Sequence, residues 1–217
     1  MSTLNMLNKL FINKQELADV ANVIDIYKYK FALNTDLRLK HFLAQVREEV
    51  GPNFVVKREN LNYKEEVLPK LFKSFTPELA EKYGRDEDTP VANQEAIANI
   101  AYANRMGNGA ADSDGDGDMD KDDDGFKYRG AGCLQITGKT NFAEVQKRCV
   151  KYAGKEMDPD TLEGFVVFGM AFWIWQDLYK IADGGEYNTV VDAITAKINK
   201  YTHSYAKRRE YFNLIKG

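Results

Sequence analysis

A chain of 217 residues with 44% hydrophobic side chains carries enough material for one domain with a sizeable core, and its two cysteines exclude a disulfide framework. The net charge of −3 is unevenly spread: the stretch from Asp112 to Asp124, with eight aspartates and one lysine, contributes −7 and leaves +4 on the rest. A mildly basic body with one acidic insert suits an anionic polymer better than a neutral partner, but +4 is too little for nucleic acid.

The first twenty residues, MSTLNMLNKLFINKQELADV, contain no continuous apolar stretch and no small-residue cleavage site, so no secretory signal is expected. Leu17, Val20, Ile24 and Tyr27 recur at helical spacing, with Asn13 as the expected cap. Leu39, Phe42, Leu43, Val46 and Val50 mark an amphipathic helix with Asp36 where its N-cap would be, stopping at Gly51-Pro52, where glycine closes the helix and proline cannot extend it. Val67, Leu68, Leu71, Phe72 and Phe75 repeat the pattern, broken by Pro69 and by Thr76-Pro77. Gln94 to Tyr102 reads as a helix and ends in the loop Asn104-Arg105-Met106-Gly107-Asn108-Gly109. FKYRGAGCLQIT, residues 126–137, has the alternation of a short hairpin. Helices follow at 141–152, 162–179, 190–200 and 205–215. The longest apolar run, Phe165 to Trp175, is about half the ~20 residues a bilayer span needs, which makes it a core helix with Trp173 and Trp175 inside. Cys133 and Cys149 read as free core thiols, and His41 and His203 are too isolated for a zinc site.

Two carboxylates in the stretch from Asp36 to Tyr63 differ in their expected surroundings. At about 100° per residue, Glu49 falls roughly 20° outside the apolar arc that contains Phe42, whereas Glu48 points about 120° from Phe42. Bordering the core raises a carboxyl pKa, as a general acid requires. Glu59, beyond the turn in the polar segment ENLNY, is expected to stay ionised. One shielded acid with one ionised carboxylate is the pairing used in glycoside hydrolysis.

The acidic insert has the spacing of a twelve-residue calcium loop. Asp112, Asp114 and Asp116 occupy positions 1, 3 and 5, Gly117 position 6, Asp118 position 7, Asp120 position 9 and Asp123 position 12, where glutamate is usual. A structural Ca²⁺ in this loop is expected, ordering a surface connection by neutralising clustered carboxylates.

These segments, in this order, resemble the lysozyme-type branch of glycoside hydrolase family 19. HFLAQVREEVG resembles the helix that ends in the family's acid, ENLNY the segment with its second glutamate, and YANRMGNG with YRGAGCLQITGKTNF its cleft-lining stretch. INKYTHSYAKRREYF resembles its closing helices, so that the likeness covers roughly residues 20–217. The resemblance implies a mainly α, lysozyme-like or chitinase-like α+β fold, one catalytic domain over residues 1–217 with a small β-hairpin and a central cleft between two lobes. It implies Glu49 as general acid, Glu59 as the base activating water and Thr137 as a holder of that water. Gln135, Asn141 and Asn199 are implied to bind sugar, with Tyr102, Asn104 and Arg129 lining the cleft and Arg208 tuning the carboxylates. The family inverts, which calls for carboxyl groups about 6.5–9.5 Å apart. The implied activity is that of a phage endolysin, a muramidase-type hydrolase of peptidoglycan with no cofactor in the chemistry; a chitinase and a calcium-ordered glycan-binding module are the alternatives. A monomer made in the host cytoplasm, with holin-dependent release to the wall and no insertion into the membrane, goes with that reading. Two departures stand out: the residue before the acid is Glu48 in place of histidine, and Asn199-Lys200-Tyr201 stands where the family has Asn-Gly-Gly.

Overall fold

The computed structural model describes residues 1–216. Its elements are twelve α-helices: α1 Thr3–Leu10, α2 Leu17–Tyr27, α3 Asp36–Val50, α4 Leu68–Leu71, α5 Pro77–Tyr83, α6 Gln94–Tyr102, α7 Asp124–Lys127, α8 Lys139–Arg148, α9 Leu162–Trp175, α10 Leu178–Ala182, α11 Asn188–Asn199 and α12 Tyr205–Ile215. A π-helical turn, Cys149–Ala153, extends α8. The mainly helical class agrees with the sequence. The hairpin is not confirmed: among the described residues there is no extended strand, and 126–137 has only single bridge positions at Ala131 and Ile136, beside a further bridge between Lys64 and Arg85. Positive φ at Gly132 (70°) and at Gln135 (50°) interrupts the alternation of 126–137, so the stretch turns instead of extending.

The chain divides into two compact units, the first formed by Met1–Lys57, Ala131–Gln135 and Glu144–Gly217, the second by Arg58–Gly130 and Ile136–Ala143. In the first unit α9 is apolar on all sides, as a central helix must be. Phe165, Phe168 and Trp173 of α9 are wholly buried, and Trp173 meets Phe42 of α3 edge to face, centroids 5.7 Å apart. Gly169 lets the 131–135 segment cross α9 closely: a Cβ there would stand 2.2 Å from Cys133 Sγ. Cys133 N–H donates to the Phe165 carbonyl (2.9 Å). Both cysteines are free and buried, and burial pushes the Cys149 thiol up to about 12, so neither is a ready nucleophile. Helices α1, α11 and α12 pack on α3, with His41 of α3 stacked on Phe212 of α12 at 4.3 Å. Burial holds His41 below its ordinary pKa, which keeps it neutral in this contact.

The second unit has its own core of Leu61, Leu68, Phe75, Ile97, Ala98 and Ala101, built by α4, α5 and α6. Pro69 and Pro77 each occupy a first-turn position, so the single pattern read over 64–79 becomes two short helices. Helix α7 lies against α6 because Gly125 adds no side chain: a Cβ there would stand 2.5 Å from Asn99 Cα. Three boundaries differ from the sequence reading. Thr35, whose hydroxyl accepts from Arg38 N–H, caps α3 in place of Asp36. Glu16 precedes α2, while Asn13 accepts from Gln15 N–H in the preceding turn. The 162–179 helix breaks after Trp175 at Asp177, whose φ of 54° is left-handed, and resumes as α10.

Candidate active site

In the first unit the chemistry gathers at the last turn of α3. Gly51, at φ 79°, ends the helix as the glycine pattern demands, leaving Glu49 as its penultimate residue and half-buried. Glu48 and Glu49 are both intermediate in exposure. The two differ in partner, because Arg208 Nη2 of α12 donates to Glu49 Oε1 at 2.5 Å. Arg208 is itself 2% exposed and fully engaged: Nε donates to Ser204 Oγ (3.0 Å) and Nη1 to Gln45 Oε1 (2.8 Å).

Gln45 lies one turn before Glu49 on α3 and is wholly buried. The guanidinium has only donors, so it fixes the amide with its oxygen toward Arg208. The Thr195 hydroxyl of α11 stands 2.9 Å from the Val191 carbonyl and 3.3 Å from Gln45 Oε1, dividing its proton between them. Three helices thus supply the neutral groups that hold one guanidinium on one carboxylate. Sequence reasoning missed Gln45, Thr195 and Ser204. The signal available was a polar residue four positions before the acid, hence on its side of the helix.

In the second unit Glu59 occupies an irregular segment, tied by a reciprocal pair with Gly130. Glu59 N–H donates to the Gly130 carbonyl (2.9 Å), and Gly130 N–H donates to Glu59 Oε2 (3.1 Å). Tyr102, at the end of α6, donates its hydroxyl to Glu59 Oε1 at 2.6 Å. Burial, and then the charge of Glu59, raise the Tyr102 phenol far above its ordinary pKa, so it stays a donor throughout the working pH range. Tyr63 is raised for the same two reasons, burial first. Replacing Tyr102 by Phe is expected to cost about 1.5–3 kcal/mol, the range for a hydrogen bond to a charged group, read as a lower midpoint in urea unfolding.

The remaining expected site residues divide between the units. Thr137 is half-buried in the second unit, its carbonyl accepting from Asn141 Nδ2 (2.7 Å) at the start of α8. Arg129 stacks on Phe126, 3.6 Å from the ring centroid, and donates to the Phe126 carbonyl (2.8 Å). Asn104 is exposed at a left-handed φ of 57°, and its N–H closes the 104–109 loop on the Gly109 carbonyl (2.7 Å). In the first unit, Gln135 Nε2 donates to the Gly132 carbonyl (3.1 Å), and Asn199 is exposed as the last residue of α11.

Of the expected cation ligands, Asp112, Asp114 and Asp116 bring one oxygen each within 4.8 Å of one another. Gly117 takes the left-handed φ (103°) that position 6 requires, and its N–H donates to Asp112 Oδ2 (3.2 Å). Asp118 and Asp120 lie outside that cluster. Asp123 is 1% exposed and serves as an internal acceptor, taking bonds from the Ser113 hydroxyl (2.9 Å), Asp120 N–H (3.1 Å) and Asn99 Nδ2 (3.3 Å). Asn99 of α6 also accepts from Phe126 N–H (2.6 Å), which anchors the loop to the second unit's core.

No family model matches the chain. Over 162 residues it is 37% identical to a Haemophilus influenzae protein named as a glycosyl hydrolase family 19 domain-containing protein, the match covering 73% of this chain and 68% of that one. With that identity and coverage added to two held glutamates on a mainly helical scaffold, the chain belongs to glycosyl hydrolase family 19.

Proposed function

We propose that the chain hydrolyses the β-1,4 glycosidic bonds of bacterial peptidoglycan by single displacement, in the lytic role of a phage endolysin. Glu49 donates its proton to the glycosidic oxygen as the bond to the anomeric carbon breaks. Glu59 takes a proton from the water that attacks that carbon from the opposite face, and the Thr137 hydroxyl holds the water. The observation that carries the reading is the Glu49 centre, a half-buried carboxylate fixed by a buried guanidinium, in a chain of this family. Made in the host cytoplasm, the protein would reach its substrate once a holin opens the membrane.

Incubating the protein with purified peptidoglycan and with chitin oligomers, and following the new reducing ends by proton NMR, tests this directly. Muropeptides released with the α-anomer formed first support both the substrate and the inverting step. Release from chitin alone would replace the substrate by N-acetylglucosamine polymers, and binding without new reducing ends would leave a glycan-binding module.

The 112–123 loop is proposed to hold one Ca²⁺ through Asp112, Asp114 and Asp116, as a structural ion. Neutralising part of the −7 charge would order the connection that leads into α7. Saturating calcium at one hundred times its Kd is expected to stabilise the fold by about 2.7 kcal/mol. A melting temperature that is the same in calcium and in chelator, with no heat of calcium binding, would remove the ion from the account.

A further inference from the structure

The first unit contains a concave site whose lining shares no residue with the Glu49 network. It has a volume of about 340 Å³ and is lined by Lys147, Arg148, Lys151, Tyr152, Trp175 and Asp177, among others. The π-helical turn Cys149–Ala153 carries Lys151 and Tyr152, and Gly154, left-handed at φ 86°, ends it. Turns of this kind recur at functional sites. Opposite it, the break after α9 places left-handed Asp177 beside Trp175. Two uncommon backbone conformations therefore line the same cavity.

Its chemistry is basic and aromatic. Tyr152 is braced edge-on by Phe31 (5.7 Å) and Trp175 by Phe172 (5.8 Å), so both rings are fixed before anything binds. The Arg148 guanidinium lies 5.9 Å from the Trp175 ring, and Lys151 Nζ 5.0 Å from that of Tyr152. Glu144 pairs with Lys147 at 2.6 Å and with Arg148, and Asp177 pairs with Lys180 at 2.9 Å. Lys147, Arg148, Lys151 and Lys180 thus face two carboxylates, an excess of two positive charges. Neither the proposed hydrolysis nor the cation loop uses this site.

We propose that this cavity is an accessory binding site for a carboxylate-bearing saccharide, the sugar ring packing on Trp175 and its carboxylate held by Arg148 and Lys151. The inference rests on the peptidoglycan reading, since the muramic acid units of the wall bear carboxylates, on the lactyl group where no stem peptide is attached and on the stem peptide where one is, whereas the residues of chitin are neutral. A bound acidic sugar would hold the glycan strand on the first unit between cleavage events.

Tryptophan fluorescence reads the site without turnover, because Trp173 is wholly buried and Trp175 is partly open to solvent. The expected result is a saturable change with N-acetylmuramic acid, at least tenfold weaker with N-acetylglucosamine, and at least tenfold weaker again for Arg148→Ala/Lys151→Ala. That variant should hydrolyse short soluble substrates at the wild-type rate while losing affinity for intact sacculi. An equal response to both sugars, or a response indifferent to Arg148 and Lys151, overturns the proposal. Circular dichroism of the variant separates loss of the site from loss of fold. Failure of hydrolysis with the fluorescence change intact would sink the proposed reaction and leave the binding site standing.

Discussion

Glu49→Gln is expected to lower kcat by about 10²–10⁴-fold, the contribution of a positioned acid or base, with little change in melting temperature. Glutamine keeps the length and shape of the side chain, and its amide oxygen still accepts from Arg208 Nη2, the contact that fixes the glutamate at 2.5 Å. What it lacks is a transferable proton. A loss in kcat with KM nearly constant is the signature of a group that acts in the transition state. Glu48→Gln is the control from the same turn: it too is intermediate in exposure, but the guanidinium bonds its neighbour, and its replacement should change kcat by no more than a few-fold. Lysis of permeabilised cells by Glu49→Gln at the wild-type rate would remove Glu49 from the acid's role, whatever the fate of the family assignment.

The same pair of glutamates shows what could be read from the sequence. Helical spacing, Gly51-Pro52 and the resemblance singled out Glu49, and α3, α6 and α12 end where their periodicity stops. What sets Glu49 apart from Glu48 in the structure is its partner Arg208, 159 residues away along the chain, which the resemblance implies and helical spacing does not. Local periodicity cannot report which distant helix brings a cation. Gln45 escaped for the same reason, since its importance comes from meeting Arg208 and Thr195, neither of which its neighbours in sequence reveal. Tyr102 was expected only to line a cleft, yet its hydroxyl is spent on Glu59. The hairpin is not confirmed, on backbone grounds: alternation over Leu134–Thr137 is a side-chain pattern, and it is silent about the left-handed φ of Gln135. The acidic loop was legible in its spacing, but not in the burial of Asp123, which follows from Asn99 reaching it from α6.

Arg208→Leu should be the most destabilising single change at the site. The guanidinium is buried at 2% exposure and bonds Glu49, Gln45 and Ser204, so its removal leaves the carboxylate without its cation and takes one donor each from Gln45 and Ser204. Breaking a buried ion pair from one side costs about 3–5 kcal/mol when the remaining charge is uncompensated. Glu49 keeps 17% of its side-chain surface in water, which places the expected loss near the lower end, about 3 kcal/mol. For a chain of this length that corresponds to roughly 6–12 °C in Tm. Arg208→Lys should recover only part of it, because one ammonium on a flexible stem cannot span the three acceptors that the planar fork reaches together. If the geometry also serves the reaction, the lysine variant, assayed well below its Tm, should show reduced kcat with KM nearly unchanged. Were Arg208→Lys to restore both Tm and kcat, charge alone would suffice at this position, and the neutral scaffold of Gln45, Thr195 and Ser204 would have no part in aiming it.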